Sequence, residues 1–250
     1  MTVADCLWPD LAPRYDTALR DAVSFVFREL EPLGIVATGT IIRGNAHATS
    51  DLDIVVIHDA PFRRRIQRWF GDVPAEIFVN PPAQIRAYFA DEHRDAEQLT
   101  AHMLATGFVV FSASPVVDEL RSEARAWLEK PSPRSDGDIV RVRYGIATRF
   151  EDALDVASAD EATATMLFTM SVTSMLELYC RIHLGRVPRR KDLLAAVDAS
   201  DGTLGQVVRT FFSATSFRDR RILAEDLADV LIGTRGFFEW DSGEGPTDVR

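Results

Sequence analysis

Two aspartates separated by a single residue stand at the start of an apolar segment. Asp51 and Asp53 open the run DLDIVVIH, which ends at His58 and whose β-branched residues are typical of a buried strand. Because side chains alternate between the two faces of a strand, both carboxylates project from the same face. Two carboxylates this close repel each other unless a cation lies between them. Mg²⁺ prefers oxygen ligands of this kind, so the pair predicts a magnesium site.

Glu76 is a third candidate ligand on a later segment. Residues 73–80 (VPAEIFVN) alternate in character, which predicts a strand with Glu76 on the opposite face from Ala75. If this strand neighbours the first, its carboxylate adds an oxygen ligand to the aspartate pair. Two Mg²⁺ ions then fit, one to activate an attacking hydroxyl and the other to stabilise a leaving pyrophosphate. Asp51, Asp53 and Glu76 are therefore the predicted metal ligands and catalytic carboxylates.

The segment that precedes the aspartates has the residue types of a phosphate-binding turn. Residues 34–39 form a predicted strand, and its last residue, Gly39, allows the backbone to approach a phosphate closely. Thr40 begins a predicted helix and adds a hydroxyl to the N–H groups exposed at that helix start. A polar, glycine-containing loop then leads to Asp51.

These residues lie in register on the signature of a known superfamily. That signature is Gly-Ser, then Arg-Gly, a polar loop, and Ser-Asp-x-Asp at the entry to an apolar strand. The matching residues of this chain are Gly39, Thr40, Arg43, Gly44, Ser50, Asp51 and Asp53. The chain thus resembles the nucleotidyltransferase superfamily that includes DNA polymerase β, and within it the small-molecule branch typified by aminoglycoside nucleotidyltransferases. Thr40 stands where the family usually has Ser, and Glu76 where it often has Asp.

The resemblance implies a fold, a reaction and a set of contacts. The implied fold is α+β: a nucleotidyltransferase domain with a mixed sheet flanked by helices, followed by a C-terminal helical bundle. The implied reaction transfers a nucleoside monophosphate, AMP from ATP, to a hydroxyl of a small, aminoglycoside-like acceptor. Gly39, Thr40, Arg43 and Ser50 would contact the nucleotide phosphates, and Lys191 would reach them from the second domain.

The same branch uses a carboxylate of its helical domain as the general base on the acceptor hydroxyl, and two residues are candidates for that role. Glu177 lies in a strongly apolar helical segment, where a carboxylate is usually kept for a partner or a function. Asp152 belongs to an acidic stretch with Glu151 and Asp155, which surface solvation also explains. Spacing alone does not choose between Asp152 and Glu177.

The order of elements predicts two domains. Strands alternate with helices through residue 112, which indicates an α/β or α+β layer. Further on, apolar residues recur at helical spacing, and they lie on nearly every side of residues 165–183, as in the central helix of a bundle. The segment 130–137 is rich in Pro, Ser and Gly and separates the two parts. The predicted domains are residues 1–130, the nucleotidyltransferase domain, and residues 137–250, the helical acceptor-binding domain.

The composition disfavours several classes of protein. The 38 acidic and 28 basic side chains give a formal charge of -10, which repels phosphate backbones, so no nucleic-acid partner is expected. The short basic run from Arg63 to Arg65 is interpreted as solvated surface. The two cysteines lack a metal-ligand spacing. Neither a membrane span nor a signal peptide is recognisable, which predicts a cytoplasmic protein without membrane association.

Two alternatives to a small-molecule enzyme remain open on the sequence. A non-catalytic or regulatory relative, such as a nucleotide sensor or the antitoxin-like partner of a toxin, would keep the fold and act through a protein interface. An enzyme of the same chemistry would modify a protein or an RNA end. The intact aspartate pair favours catalysis, and the acidic charge disfavours RNA and favours a cationic, hydroxyl-bearing small acceptor.

Overall fold

The computed structural model describes residues 3–131 and 136–242. The chain forms two compact units, Met1–Pro131 and Ser132–Arg250, and each unit is described by itself. Of the predicted linker, residues 130–137, the positions 132–135 lie outside the described residues. In the part of the chain that is described, no helix has both the length and the apolar character needed to cross a bilayer.

A five-stranded mixed sheet is the centre of the first unit. Its strands in chain order are β1 (Gly34–Thr38), β2 (Leu52–Ile57), β3 (Arg64–Phe70), β4 (Val73–Asn80) and β5 (Phe108–Ser112). Their spatial order is β3-β4-β2-β1-β5. The pair β2–β4 is parallel, whereas β3–β4, β1–β2 and β1–β5 are antiparallel. The mixed sheet predicted for this part of the chain is confirmed.

Helices pack on both faces of this sheet. They are α1 (Pro13–Glu29), the short α2 (Gly39–Ile42), α3 (Pro82–Arg94), α4 (Leu99–Thr106) and α5 (Val116–Glu129). On one face, Leu19 of α1 shares a core with Ile54 of β2. On the other face, Val55 of β2 shares a core with Ile85 of α3 and Leu104 of α4. Alternation along β2 therefore gives each face of the sheet its own helical layer.

The second unit is helical, as predicted. Its α-helices within residues 136–242 are α6 (Asp136–Val156), α7 (Glu161–His183), α8 (Leu193–Ser200), α9 (Gly202–Ser213) and α10 (Phe217–Leu231). They share one core, which includes Phe150, Phe168 and Val208. The N-terminus of α7 is capped by Asp160, whose carboxylate accepts hydrogen bonds at 3.0 Å from the backbone N–H of Ala162 and of Thr163.

Helix α7 is central in this unit, but not on every side. It packs against α6, α8 and α10, which agrees with the apolar pattern of its sequence. Met166 and Met170, however, remain 52% and 47% exposed. The predicted central position of α7 therefore agrees with the structure, and apolar methionines occupy its one exposed face.

Candidate functional site

The three predicted metal ligands come together at one end of the sheet. Asp53 of β2 lies directly beside Glu76 of β4 in the parallel register, and Asp51 immediately precedes β2. Each of the three offers a carboxylate oxygen, and these oxygens lie within 4.8 Å of one another. The cluster forms because β2 and β4 are neighbours although β3 lies between them in sequence.

Gly39 lies against this cluster at the end of β1. Its neighbour Thr38 pairs with Asp53 across the β1–β2 ladder, so the turn into α2 passes the carboxylate of Asp53. The φ of Gly39 is +92°, and a Cβ built there would lie 2.5 Å from Oδ2 of Asp53. The positive φ favours glycine, and a larger residue would also force the carboxylate of Asp53 to shift. The sequence predicted that the backbone approaches a phosphate here; the structure adds a close approach to the carboxylate of Asp53.

The loop between α2 and β2 is joined to α2 by two hydroxyl side chains. The Oγ1 of Thr40 and the Oγ of Ser50 are 2.9 Å apart, and the backbone N–H of His47 donates to the same Ser50 oxygen at 2.8 Å. Arg43 follows α2 with an exposed side chain. The predicted phosphate-contacting residues therefore lie in one segment beside the carboxylates, on the β1 side of β2.

Glu76 is held by the neighbouring strand β3. Its Oε1 accepts hydrogen bonds from Nε of Arg65 at 2.6 Å and from Nε2 of Gln67 at 2.8 Å. The Arg65 guanidinium also lies 5.1 Å from the ring centroid of Phe78. With Oε1 engaged by two donors, Oε2 is the oxygen of Glu76 that remains for a cation. These contacts orient the carboxylate in the manner of hydrogen bonds behind a metal ligand.

The basic run from Arg63 to Arg65 is exposed, as the sequence interpretation expected, and its side chains also make specific contacts. The Arg65 side chain is 63% exposed, yet it is paired with a carboxylate that is only 14% exposed. Arg64 lies 4.0 Å from Glu29, and Arg63 donates to the hydroxyl of Tyr88 at 3.0 Å. The isoleucine and aromatic residues of RRIQRWF were the signal that could have indicated the strand at residues 64–70.

The donor set fits a hard divalent cation. All three groups are carboxylates, and oxygen ligands in such a cluster suit Mg²⁺ or Mn²⁺ better than a softer metal. Three like charges within 4.8 Å repel one another, and the guanidinium of Arg65 offsets the charge of Glu76. Asp51, Asp53 and Glu76 are the residues that would hold the ion.

A pocket of about 280 Å³ opens beside the carboxylates. It is lined by Asp51, Gln67, Arg68, Trp69, Pro74, Ala75 and Glu76. The side chain of Trp69 is 67% exposed. Sequence reasoning missed both Gln67 and Trp69, because they belong to the strand that it did not recognise.

The other predicted site residues belong to the second unit. Asp152 is exposed on α6. Lys191 is exposed in a short 3₁₀ helix, Arg190–Asp192, that precedes α8. Glu177 is partly buried on α7, and its Oε1 lies 3.5 Å from Nε of Arg190. This ion pair gives Glu177 the partner that its apolar helix requires.

One buried nucleophile of the second unit can be excluded from the chemistry. Burial, with the charge of Glu177 as a second cause, raises the pKa of the Cys180 thiol to about 11. The thiol is therefore neutral near pH 7 and does not act as a nucleophile.

Comparison with known proteins agrees with the fold and the site. Residues 18–106 match the family model described as a nucleotidyltransferase domain, so this part of the chain is similar to that family. The chain is similar in fold to the crystal structure of a nucleotidyltransferase-like protein from Exiguobacterium sibiricum 255-15, with a TM-score of 0.51 and 15% identity. That similarity covers 86% of this chain and 76% of the other. No curated protein matches the sequence.

Proposed function

We propose that this protein transfers a nucleoside monophosphate, AMP from ATP, to a hydroxyl group of a small acceptor with the help of Mg²⁺. The observation that supports this most strongly is the cluster of Asp51, Asp53 and Glu76, whose oxygens lie within 4.8 Å of one another inside a nucleotidyltransferase domain. A non-catalytic relative is not favoured, because it would have no need for three adjacent carboxylates that repel one another.

The proposed reaction is an in-line displacement at phosphorus. The acceptor oxygen forms a bond to the α-phosphorus, the bond from that phosphorus to its bridging oxygen breaks, and pyrophosphate leaves with the electron pair. Mg²⁺ held by the carboxylates would supply charge neutralisation for the phosphate oxygens. Gly39, Thr40, Arg43 and Ser50 would bind and orient the triphosphate through backbone N–H, hydroxyl and guanidinium groups.

The second unit would supply the remaining groups. We propose that a carboxylate of this unit accepts the proton of the attacking hydroxyl. Asp152 and Glu177 are the two candidates. Lys191 would bind a phosphate oxygen as a point charge. The exposure of Asp152 and Lys191 leaves both accessible to a substrate, whereas Glu177 would first have to leave Arg190. That ion pair is weak, because Arg190 is 87% exposed.

The proposed acceptor is small, hydroxyl-bearing and cationic, as an aminoglycoside is. The formal charge of -10 supports this choice, since an acidic surface concentrates ligands of the opposite sign. Pyrophosphate release, measured for each nucleoside triphosphate with a panel of aminoglycosides, neutral sugars and nucleosides, tests the proposal. We expect release with ATP, Mg²⁺ and an aminoglycoside, and none with the Asp53→Asn variant.

Two outcomes of this panel separate the parts of the proposal. Release with neutral acceptors only would refute the cationic acceptor and leave nucleotidyl transfer standing. Release that is equal in wild type and Asp53→Asn would refute the assignment of the carboxylates.

A further inference from the structure

The carboxylates divide the site into two flanks. The sheet order β4-β2-β1 places Thr40 and Ser50 beyond Asp53 on the β1 side. Glu76 lies on the opposite side of Asp53, and Trp69 of β3 lies further out on that side, paired with Pro74 of β4. The phosphate-binding segment and the indole are therefore on opposite flanks of the metal ligands.

In-line displacement assigns a different substrate to each flank. The attacking oxygen must approach the α-phosphorus from the side opposite to the leaving pyrophosphate. If the triphosphate lies along the flank of Gly39, Thr40 and Ser50, its pyrophosphate leaves toward that flank. The acceptor then enters from the flank of Glu76, where the pocket of about 280 Å³ opens.

The lining of this pocket has two kinds of surface. Asp51, Gln67 and Glu76 contribute donors and acceptors of hydrogen bonds, whereas Trp69 contributes an indole ring. A saturated sugar-like ring has the complementary pattern, with hydroxyls around its edge and C–H groups on its faces, and C–H groups pack well on the negative face of an aromatic ring.

The size of the pocket and the exposure of Trp69 also favour binding of a sugar-like ring. Ligand pockets commonly span about 300–1,000 Å³, so the pocket of about 280 Å³ is near the lower limit and suits a small group such as one ring. Trp69 is 67% exposed, and a single exposed aromatic side chain is by itself unremarkable on a protein surface. Its place in the lining of a pocket that also contains two candidate metal ligands is what indicates a binding role.

We infer that Trp69 is a substrate-contacting residue, on whose indole face the acceptor lays a saturated, hydroxyl-bearing ring so that one hydroxyl points to the metal site. This inference rests on the proposed function and narrows the acceptor to a sugar or cyclitol ring. The ring need not itself be charged, because the contact is with the indole.

The test uses ¹⁹F NMR of the full chain labelled with 5-fluorotryptophan, in the presence of Mg²⁺ and a non-hydrolysable ATP analogue. The resonance of Trp69 is assigned by its loss in the Trp69→Phe variant. The ring probes are kanamycin, myo-inositol and adenosine. We expect kanamycin or myo-inositol to shift the Trp69 resonance and to leave unchanged the resonance of Trp8, which lies in the same unit and does not line the pocket. A shift with adenosine alone, or with none of the three probes, would overturn the inference.

Steady-state kinetics give a second readout. Trp69→Ala is expected to raise the KM for the acceptor about tenfold and to leave the KM for ATP unchanged, as loss of one aromatic contact predicts. Phe62→Ala is the matched control, since Phe62 is a 44% exposed aromatic residue of the same unit and does not line the pocket. An equal effect of both substitutions, or a rise in the KM for ATP with Trp69→Ala, would contradict the assignment.

Failure of this inference can be told from failure of the proposed function. If the ATP analogue raises the melting temperature with Mg²⁺ but no ring probe reaches Trp69, only the acceptor subsite is wrong. If no nucleoside triphosphate or analogue alters the melting temperature, the proposed function is wrong, and the inference falls with it.

Discussion

Substitution of Gly39 by alanine is expected to disturb the metal site more than the fold. The φ of +92° at Gly39 costs an L-residue about 1–2 kcal/mol. The new Cβ would also lie 2.5 Å from Oδ2 of Asp53. Because that oxygen is the end of a side chain, the carboxylate can rotate away without moving the backbone. Gly39→Ala should therefore lower the free energy of unfolding by only about 1–2 kcal/mol, and should displace a metal ligand.

The expected loss of metal affinity is at least about tenfold, or about 1.4 kcal/mol, the size of effect that a misplaced metal ligand produces. Mn²⁺ titration followed by electron paramagnetic resonance measures it without nucleotide or acceptor. Urea unfolding measures the cost to the fold.

Gly71→Ala is the matched control for backbone strain. Gly71 has a φ of +61°, and a Cβ built there would meet nothing within 4 Å. The Gly71→Ala variant should lose about as much stability as Gly39→Ala, and it should bind Mn²⁺ with the affinity of the wild type. Equal Mn²⁺ affinities for Gly39→Ala and Gly71→Ala would refute the reasoning, since strain alone would then explain both variants.

Three further predictions concern the charges of the first unit and its ligand. Asp51→Asn and Asp53→Asn should each abolish nucleotide transfer without loss of stability, because one charge of a repelling set is removed along with a metal ligand; unchanged turnover would refute the assignment. ATP at about 100 times its Kd, with Mg²⁺, should stabilise the protein by about 2.7 kcal/mol, and excess EDTA should cancel most of the rise in melting temperature. Burial raises the pKa of Glu92, although Thr100 donates two hydrogen bonds to it. The Glu92 carboxyl therefore binds its proton more tightly in the folded state than in the unfolded state. This difference contributes to the free energy of unfolding at low pH, and the contribution is lost as pH rises from the ordinary glutamate pKa through the raised pKa. Glu92→Gln should remove that loss, so the variant should gain stability relative to wild type as pH rises above the ordinary glutamate pKa; parallel profiles would contradict this.

The strands that hold the carboxylates could be predicted because their local patterns are strong. The segment from Asp51 to His58 is almost continuously apolar after its aspartates, as suits a central strand buried on both faces. Residues 73–80 alternate, and the structure gives β4 the same bounds. Both patterns depend only on near neighbours in the chain, so the sequence contains them directly.

Strand β3 was missed because its residues obey a different constraint. It is an edge strand with exposed side chains at most positions, and edge strands commonly have charged residues that prevent further pairing. Arg65 and Arg68 therefore made the segment resemble solvated surface. The contacts of Gln67 with Glu76, and the place of Trp69 in the pocket, could not be inferred without the strand.

Other features depend on pairings between distant residues. The close approach of Gly39 to Asp53 follows from the β1–β2 register, which no local pattern specifies. The partner of Glu177 is likewise Arg190, which follows α7 after a turn. The sequence indicated that Glu177 needs a partner and gave no means of choosing one.

A crystal grown with Mn²⁺ and a non-hydrolysable ATP analogue tests the central claim most directly. Mn²⁺ prefers the same oxygen ligands as Mg²⁺ and is identified by its anomalous scattering. We predict an anomalous peak coordinated by Asp51, Asp53 and Glu76, with the triphosphate beside Gly39 and Thr40. Bound nucleotide with no anomalous peak at these three carboxylates would contradict the claim.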